Sequence, residues 1–321
     1  MHKNIRAAVA TDFEAVNTFI IGQLHSNVDL VENIGHYITN AGGKRMRPVL
    51  VLLSARACGA NGNDAVKLAA VIEFIHTATL LHDDVVDMST MRRGRPTANE
   101  QWNNPSSVLV GDFIYSRAFQ ILVSIGHIGI MQVIADTTNV IAEGEVLQLL
   151  NKHRVDTTEA DYLRVISDKT AVLFQAAAYC GALIANADTV LQIALKEAGM
   201  HIGLAFQLVD DALDYDGNTT ELGKNIGDDL AEGKPTLPLI FAMQHASDEE
   251  QAIIRQSILT GGTDRLAEVI KIVLRCGALD YTRQLARHHA DEAAAKLMQL
   301  PESTYRSALL QMCELAVSRA S

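Results

Sequence analysis

The residues with the clearest chemical potential are two aspartate clusters. Leu80-Leu81-His82-Asp83-Asp84-Val85-Val86-Asp87 and Gln207-Leu208-Val209-Asp210-Asp211-Ala212-Leu213-Asp214 each end an apolar run in Asp-Asp-x-x-Asp, with their first aspartates 127 residues apart. On a helix turning about 100° per residue, Asp83 and Asp87 fall about 40° apart on one face, and so do Asp210 and Asp214. Like charges at that spacing repel, so each cluster calls for a counter-charge. All-oxygen donors favour a hard divalent ion, and Mg²⁺ takes one or two carboxylates plus substrate phosphates rather than a complete protein cage. A single Asp-Asp-x-x-Asp reads equally well as a solvated helix end. Its recurrence in a matching apolar setting, followed each time by cationic residues, favours metal binding.

Metal held by carboxylates in this way implies an anionic partner, and the flanking basic residues point to a diphosphate. Gly42-Gly43-Lys44-Arg45-Met46-Arg47-Pro48 sets three cations beside a glycine pair, suited to a phosphate at a helix start, although a generic basic turn has the same composition. Arg92 and Arg93 lie just beyond the first cluster, and their guanidinium forks match phosphate oxygens. Lys169-Thr170 opens an apolar segment, while Lys224 and Lys234 bracket the stretch after the second cluster. Any one of these lysines alone reads as a solvated surface residue; their company points to an anion. His76 precedes Asp83 by two turns and lies about 20° from it around the helix, so it is either a satisfied core histidine or a hydrogen-bond donor to phosphate. Gln207, just before Asp210, has the same two readings.

The elements that must position these groups are helices. Apolar residues recur at three- and four-residue spacing, as in Leu68, Val71, Ile72 and Ile75, with no sustained period-two alternation. Of 321 residues 48% are hydrophobic and 20% charged, enough for a large core and too apolar for disorder. The composition, with 5% aromatics, 21 glycines and 6 prolines, predicts an all-α chain. Breaks at Gly42-Gly43, 59–63, 93–105, 126–129, 215–238 and 261–263 separate the helices. Two of the breaks, the stretches 88–105 and 215–238, predict long loops, and long loops in compact domains are often functional. No linker, repeat or composition shift marks a boundary, so a single domain over 1–321 is expected. The segment 171–187 reads as a buried helix too short to span a membrane. A net charge of −11 argues against nucleic acid as a partner. Cys58, Cys180, Cys276 and Cys313 form no CxxC pair, which suggests neither zinc nor a disulfide framework and fits a reducing cytoplasm. Asp12 and Glu14 interrupt the N-terminal apolar residues, unlike a secretory signal.

In family order, the segments around Gly43 to Pro48, Glu73 to Asp84, Arg92 to Gly94, Ser167 to Thr170, Phe206 to Asp211 and Gly223 to Leu230 resemble the trans-polyprenyl diphosphate synthases. The resemblance spans about residues 20 to 320. It implies an all-α bundle around a deep cavity, with the two clusters facing each other at its mouth, and a homodimer. It also implies condensation of isopentenyl diphosphate with an allylic diphosphate, farnesyl diphosphate being the expected primer, to give a long all-trans polyprenyl diphosphate for quinone side chains. On this resemblance Asp83, Asp84, Asp87, Asp210, Asp211 and Asp214 hold roughly two to three Mg²⁺ ions. Arg92, Lys169, Thr170, Gln207, Lys224 and Lys234 surround the allylic diphosphate, with Lys169 also counted as catalytic, while Lys44, Arg47, His76 and Arg93 bind isopentenyl diphosphate. Met88 departs from the polar or acidic residue that relatives often carry after the third aspartate.

Product length then depends on what stops the tail along the helix carrying the first cluster. In this family large aromatics four or five residues before that cluster belong to short-chain enzymes, so Ala78 and Thr79, with Ile75 deeper, imply a longer product. A helix from Asp64 to Asp87 is about 36 Å long, and about eight extended isoprenes need about 32 to 40 Å, which permits a C40 product. Synthases of shorter or longer products and a non-catalytic subunit are the alternatives. A terpene cyclase would not need the second diphosphate site, and a metal-buffering acidic protein would not need the cations. So apolar a product also implies transient membrane contact at release.

Overall fold

The computed structural model describes residues 2–216 and 226–318; Lys224, expected in the allylic site, lies outside the described residues. The chain opens with α1 (His2–Ala7), α2 (Ala10–Gln23), α3 (Asp29–Asn40), α4 (Met46–Ala57) and α5 (Asp64–Val86). Two short strands, β1 (Met91–Arg92) and β2 (Arg95–Pro96), precede α6 (Ala98–Gln101), α7 (Asn104–Ile125) and α8 (Ile128–Asn151). After α9 (Glu159–Ile166), a π-helical turn at Ser167–Ala171 leads into α10 (Val172–Ile184) and α11 (Thr189–Leu213). The remaining helices are α12 (Asp228–Ala231), α13 (Leu237–His245), α14 (Asp248–Thr260), α15 (Leu266–Arg275), α16 (Ala278–Leu297) and α17 (Thr304–Val317).

These helices form two compact units. The first gathers Met1–Thr138, Leu173–Gly199 and Lys296–Met312, and the second Asn139–Val172, Met200–Ala295 and Cys313–Ser321. Because each unit is assembled from separate stretches of sequence, no linker or change of composition announces it.

In the first unit α5 is apolar on nearly every face, and a helix of that kind can only sit in a core. Leu68, Val71, Ile72, Phe74, Ile75, Ala78 and Leu81 are all buried, against α2, α4 and α7. Its Asp64 start and Val86 end match the expected span. The expected buried helix after residue 171 forms as α10, where Phe174, Ala177 and Cys180 are fully enclosed. Gly181 lets α10 approach α4: a Cβ there would lie 2.7 Å from Ser54 Cβ and 2.9 Å from the Val51 carbonyl oxygen.

The stretch 88–105, expected as one long loop, is largely ordered. Arg93 and Gly94, at φ 52° and 74°, form a two-residue turn between β1 and β2, the backbone geometry that matches strand twist. Asn103 then caps α7 by accepting the Ser106 N–H, and Pro105 occupies the first turn of the helix, where its missing N–H costs nothing. The same Asn-Pro punctuation that suggested a break is a helix start. The second unit centres on Tyr215, Leu230, Leu239, Ile254, Val269 and Val273. The four cysteines form no disulfide.

Gly181→Ala is expected to destabilise the protein by about 1–3 kcal/mol, because backbone lies on one side of the added methyl. Thermal unfolding against the wild type measures it. An unchanged melting temperature would contradict the α4–α10 approach.

Candidate active site

At the end of α5, Asp84 points inward and is fully buried. Its Oδ1 accepts from Arg92 Nε at 2.8 Å and pairs with Nη2 at 2.7 Å, while Oδ2 is buried without a hydrogen-bond partner. Burial raises the Asp84 pKa, and the Arg92 guanidinium opposes the shift. Asp83 and Asp87 are less enclosed, and Asp87 stands at the helix C-cap. Ile75 and Ala78, expected to govern product length, are buried on the same helix, and Thr79 is half-buried with its hydroxyl donating to the His76 carbonyl at 2.9 Å.

The glycine pair before α4 serves a close approach. Gly42 and Gly43 have φ of 80° and 136°, Arg93 donates to the Gly42 carbonyl, and a Cβ on Gly43 would lie 2.7 Å from an Arg93 nitrogen. Arg93 is thereby seated beside Lys44 and Arg47. The Arg47 guanidinium lies 4.3 Å from the centre of the Phe174 ring and contacts His76 Nε2 at 3.3 Å. Arginine has only donors, so that nitrogen must accept and the imidazole proton sits on Nδ1. Burial, then Arg47 and Arg93, hold His76 well below its ordinary pKa, so it is neutral. Burial also lowers Arg47 to about 10, and its Nε is enclosed with no acceptor.

In the second unit the π-helical turn carries Lys169 and Thr170. Two helical glycines let their helices close on it. A Cβ on Gly144 of α8 would lie 2.8 Å from the Lys169 amide nitrogen, and one on Gly203 of α11 would lie 2.8 Å from Ala171 Cβ. Lys169 Nζ donates to Glu145 Oε2 at 2.6 Å and Gln148 Oε1 at 2.7 Å. Thr170 donates to Gln207 Oε1 at 3.1 Å, and Gln207 Nε2 donates to Asp211 Oδ1 at 2.6 Å. Tyr162 of α9 closes the chain by donating its hydroxyl to Asp211 Oδ2 at 2.6 Å. Burial and the nearby Asp229 push the Asp211 carboxyl upward, against these hydrogen bonds. Asp214 accepts the N–H groups of Asp228 and Asp229 at 3.2 and 3.1 Å, capping α12. Lys234, nearly buried, pairs with Glu232 at 2.6 Å.

Among the described residues no three His, Cys, Asp or Glu side chains converge into a ready-made metal cage. The donor chemistry still fits Mg²⁺: oxygen only, few protein ligands per ion, and a buried Asp84 oxygen lacking a partner.

The model of the family described as polyprenyl synthetase matches residues 28–273. The chain belongs to that family. It is 50% identical over 318 residues to the octaprenyl diphosphate synthase of Escherichia coli (strain K12), covering 99% of this chain and 98% of that protein. It is 51% identical over 318 residues, with the same coverage, to an all-trans-nonaprenyl-diphosphate synthase (geranyl-diphosphate specific) of Rhodobacter capsulatus. Its fold matches a polyprenyl synthase from Caulobacter crescentus CB15 complexed with calcium and isoprenyl diphosphate, at a TM-score of 0.96 and 41% identity, covering 100% of this chain and 98% of that one. The fold is accordingly the all-α isoprenoid synthase type.

Within the first unit the structure brings Arg47, His76 and Arg93 together, and within the second it links Thr170, Gln207 and Asp211. Lys169, expected to open a regular helix, lies in the wider π turn, a feature frequent at functional sites. Residue spacing gave no sign of Tyr162, Glu145 or Gln148, all of which make these contacts across elements. The one available signal was Gly144 and Gly203, since glycine inside a helix needs a packing reason. Arg92→Met is expected to destabilise the chain by about 3–5 kcal/mol, because it leaves Asp84 buried and uncompensated. The double variant with Asp84→Asn should recover most of that loss in denaturant unfolding; additive losses would show that the pair is not coupled.

Proposed function

We propose that this chain is an Mg²⁺-dependent prenyltransferase that elongates an allylic diphosphate, farnesyl diphosphate in the first instance, with isopentenyl diphosphate. The observation that carries the proposal is Arg47, whose enclosed Nε lacks an acceptor beside a neutral histidine and a second arginine: a site made to receive an anion. On this reading Lys44, Arg47, His76 and Arg93 hold isopentenyl diphosphate. Arg92, Lys169, Thr170, Gln207, Lys224 and Lys234 serve the allylic diphosphate, with Lys169 catalytic. Asp83, Asp84, Asp87, Asp210, Asp211 and Asp214 hold about two to three Mg²⁺ ions. Bound Mg²⁺ supplies positive charge against the leaving diphosphate. The chain's lysines and arginines add fixed donors where negative charge develops as the allylic carbon–oxygen bond breaks, and their apolar surroundings exclude water from the cation. The double bond of isopentenyl diphosphate attacks that carbon, and a proton is lost to the released diphosphate.

The tail would run along α5 past Thr79, Ala78 and Ile75. Small side chains at Ala78 and Thr79 support a long product, and we propose octaprenyl, C40, for quinone side chains, made in the cytoplasm by one catalytic domain spanning 1–321. The family match from 28 to 273 supports that single domain. Near-equal identity to octaprenyl and nonaprenyl enzymes leaves the last unit to the product assay.

We propose a homodimer built on α7. This helix is long and apolar enough to cross a membrane, yet only 33% of its most apolar stretch is buried, with Leu109 and Val123 exposed. Transient membrane contact would accompany product release, and no nucleic acid partner is involved.

Incubation with farnesyl diphosphate, labelled isopentenyl diphosphate and Mg²⁺ should give dephosphorylated products ending mainly at about C40, with Asp83→Ala slowing turnover about a hundredfold or more. No incorporation by folded protein would overturn the assignment, and a stop at about C15 to C20 would overturn the role given to Ala78 and Thr79. Leu109→Asp with Val123→Asp should convert the dimer to monomer in sedimentation analysis; an unchanged mass would exclude α7 as the interface.

A further inference from the structure

We infer that the N-terminal segment α1–α2, which precedes the part of the chain matched by the family model, is a working part of the isopentenyl diphosphate site, with Arg6 as the positioning residue. The inference rests on the assignment of that substrate to the loop before α4.

Ile5, Val9, Phe13, Val16 and Ile20 recur at three- and four-residue spacing and are all buried, seating α2 against α4 and α5. A strap held only by apolar packing would need no directed polar contacts. This one directs them at the loop. Arg6 Nη2 donates to the Lys44 carbonyl oxygen at 2.6 Å, and its guanidinium stacks 4.7 Å from the Phe13 ring centre, which fixes where it points. Asn17 Oδ1 accepts from Arg45 Nη1. Asp12 binds Arg56 of α4 through two hydrogen bonds, at 2.8 and 2.7 Å.

The loop needs such support. Gly42, Gly43 and Arg45 all have positive φ, and a non-glycine residue at φ 45° persists only where its surroundings hold it. Arg45 turns its guanidinium inward, to Asn17, to the Thr39 carbonyl at 3.1 Å and to Glu73 at 3.8 Å. Its guanidinium is therefore held by protein partners, and Lys44 and Arg47 on either side of it are the cations assigned to the substrate. Glu73 also senses Arg6, so the strap, loop and α5 share one charge cluster. Arg6 clamps the backbone of the lysine that the substrate diphosphate would meet, and releasing that clamp lets the Lys44 peptide leave the geometry that aims its side chain.

Steady-state kinetics on the full chain test this. Arg6→Ala should raise KM for isopentenyl diphosphate about tenfold, leaving KM for farnesyl diphosphate and the melting temperature near wild type. Arg6→Lys, which keeps a cationic donor for the carbonyl, should restore most of the loss. Should Arg6→Ala fail to fold, Arg6→Met, which keeps the apolar stem without a donor, carries the same comparison. An unchanged KM for isopentenyl diphosphate, or a rise in both KM values together with a lower melting temperature, would overturn the inference and leave the functional assignment intact. A wild-type chain that does not consume isopentenyl diphosphate would overturn the assignment first and the inference with it.

Discussion

Four arginines, Arg6, Arg45, Arg47 and Arg93, act on the single carboxylate of Glu73, and the geometry around the loop before α4 depends on how that imbalance is managed. Burial raises the Glu73 pKa above its ordinary value, and the arginines oppose that shift. One carboxylate offsets only part of the positive charge. The remainder is the attraction available to a diphosphate, and it sits where low dielectric makes each charge count for more than it would in water. His76 follows from the same arrangement, since an imidazole beside Arg47 and Arg93 stays neutral and accepts rather than repels.

The second unit handles charge differently. Its ionisable groups are tied into short hydrogen-bond chains: Thr170 to Gln207 to Asp211 to Tyr162, and Lys169 to Glu145 and Gln148. Gln207 has both ends engaged, which fixes the orientation of its amide and with it which Asp211 oxygen is bound. Close backbone approach makes this possible. Gly144 and Gly203 let α8 and α11 reach the π-helical turn, and a methyl group would meet that turn at 2.8 Å from Gly144 and at 2.5 Å from Gly203. Rigid placement of polar side chains depends on such packing, because a loose element would not hold hydrogen bonds to within a few tenths of an ångström.

Much of this was legible in the sequence. The all-α class, the span of α5 and the buried helix after residue 171 follow from apolar periodicity and length, which are local properties. The two Asp-Asp-x-x-Asp clusters and their cationic neighbours were also legible, because a repeated pattern of charge in an apolar setting requires a chemical reason. The stretch 88–105 was misread as a loop because Arg93-Gly94 and Asn103-Asn104-Pro105 are punctuation that suits either a break or an ordered turn and helix start.

What only the tertiary structure decided is how the aspartates and cations divide their work. Asp84 and Asp211 look like their neighbours in sequence, yet one is buried against Arg92 and the other between Tyr162 and Gln207. Arg45 reads as one more cation for phosphate, and the fold turns it inward. The sequence alone determined the inventory of charges and the helices that carry them, because residue type and periodicity are encoded locally. Which charge meets a partner inside the protein depends on residues far apart in the chain, such as Tyr162 with Asp211 or Arg6 with Lys44, and no local pattern records contacts that exist only once helices pack.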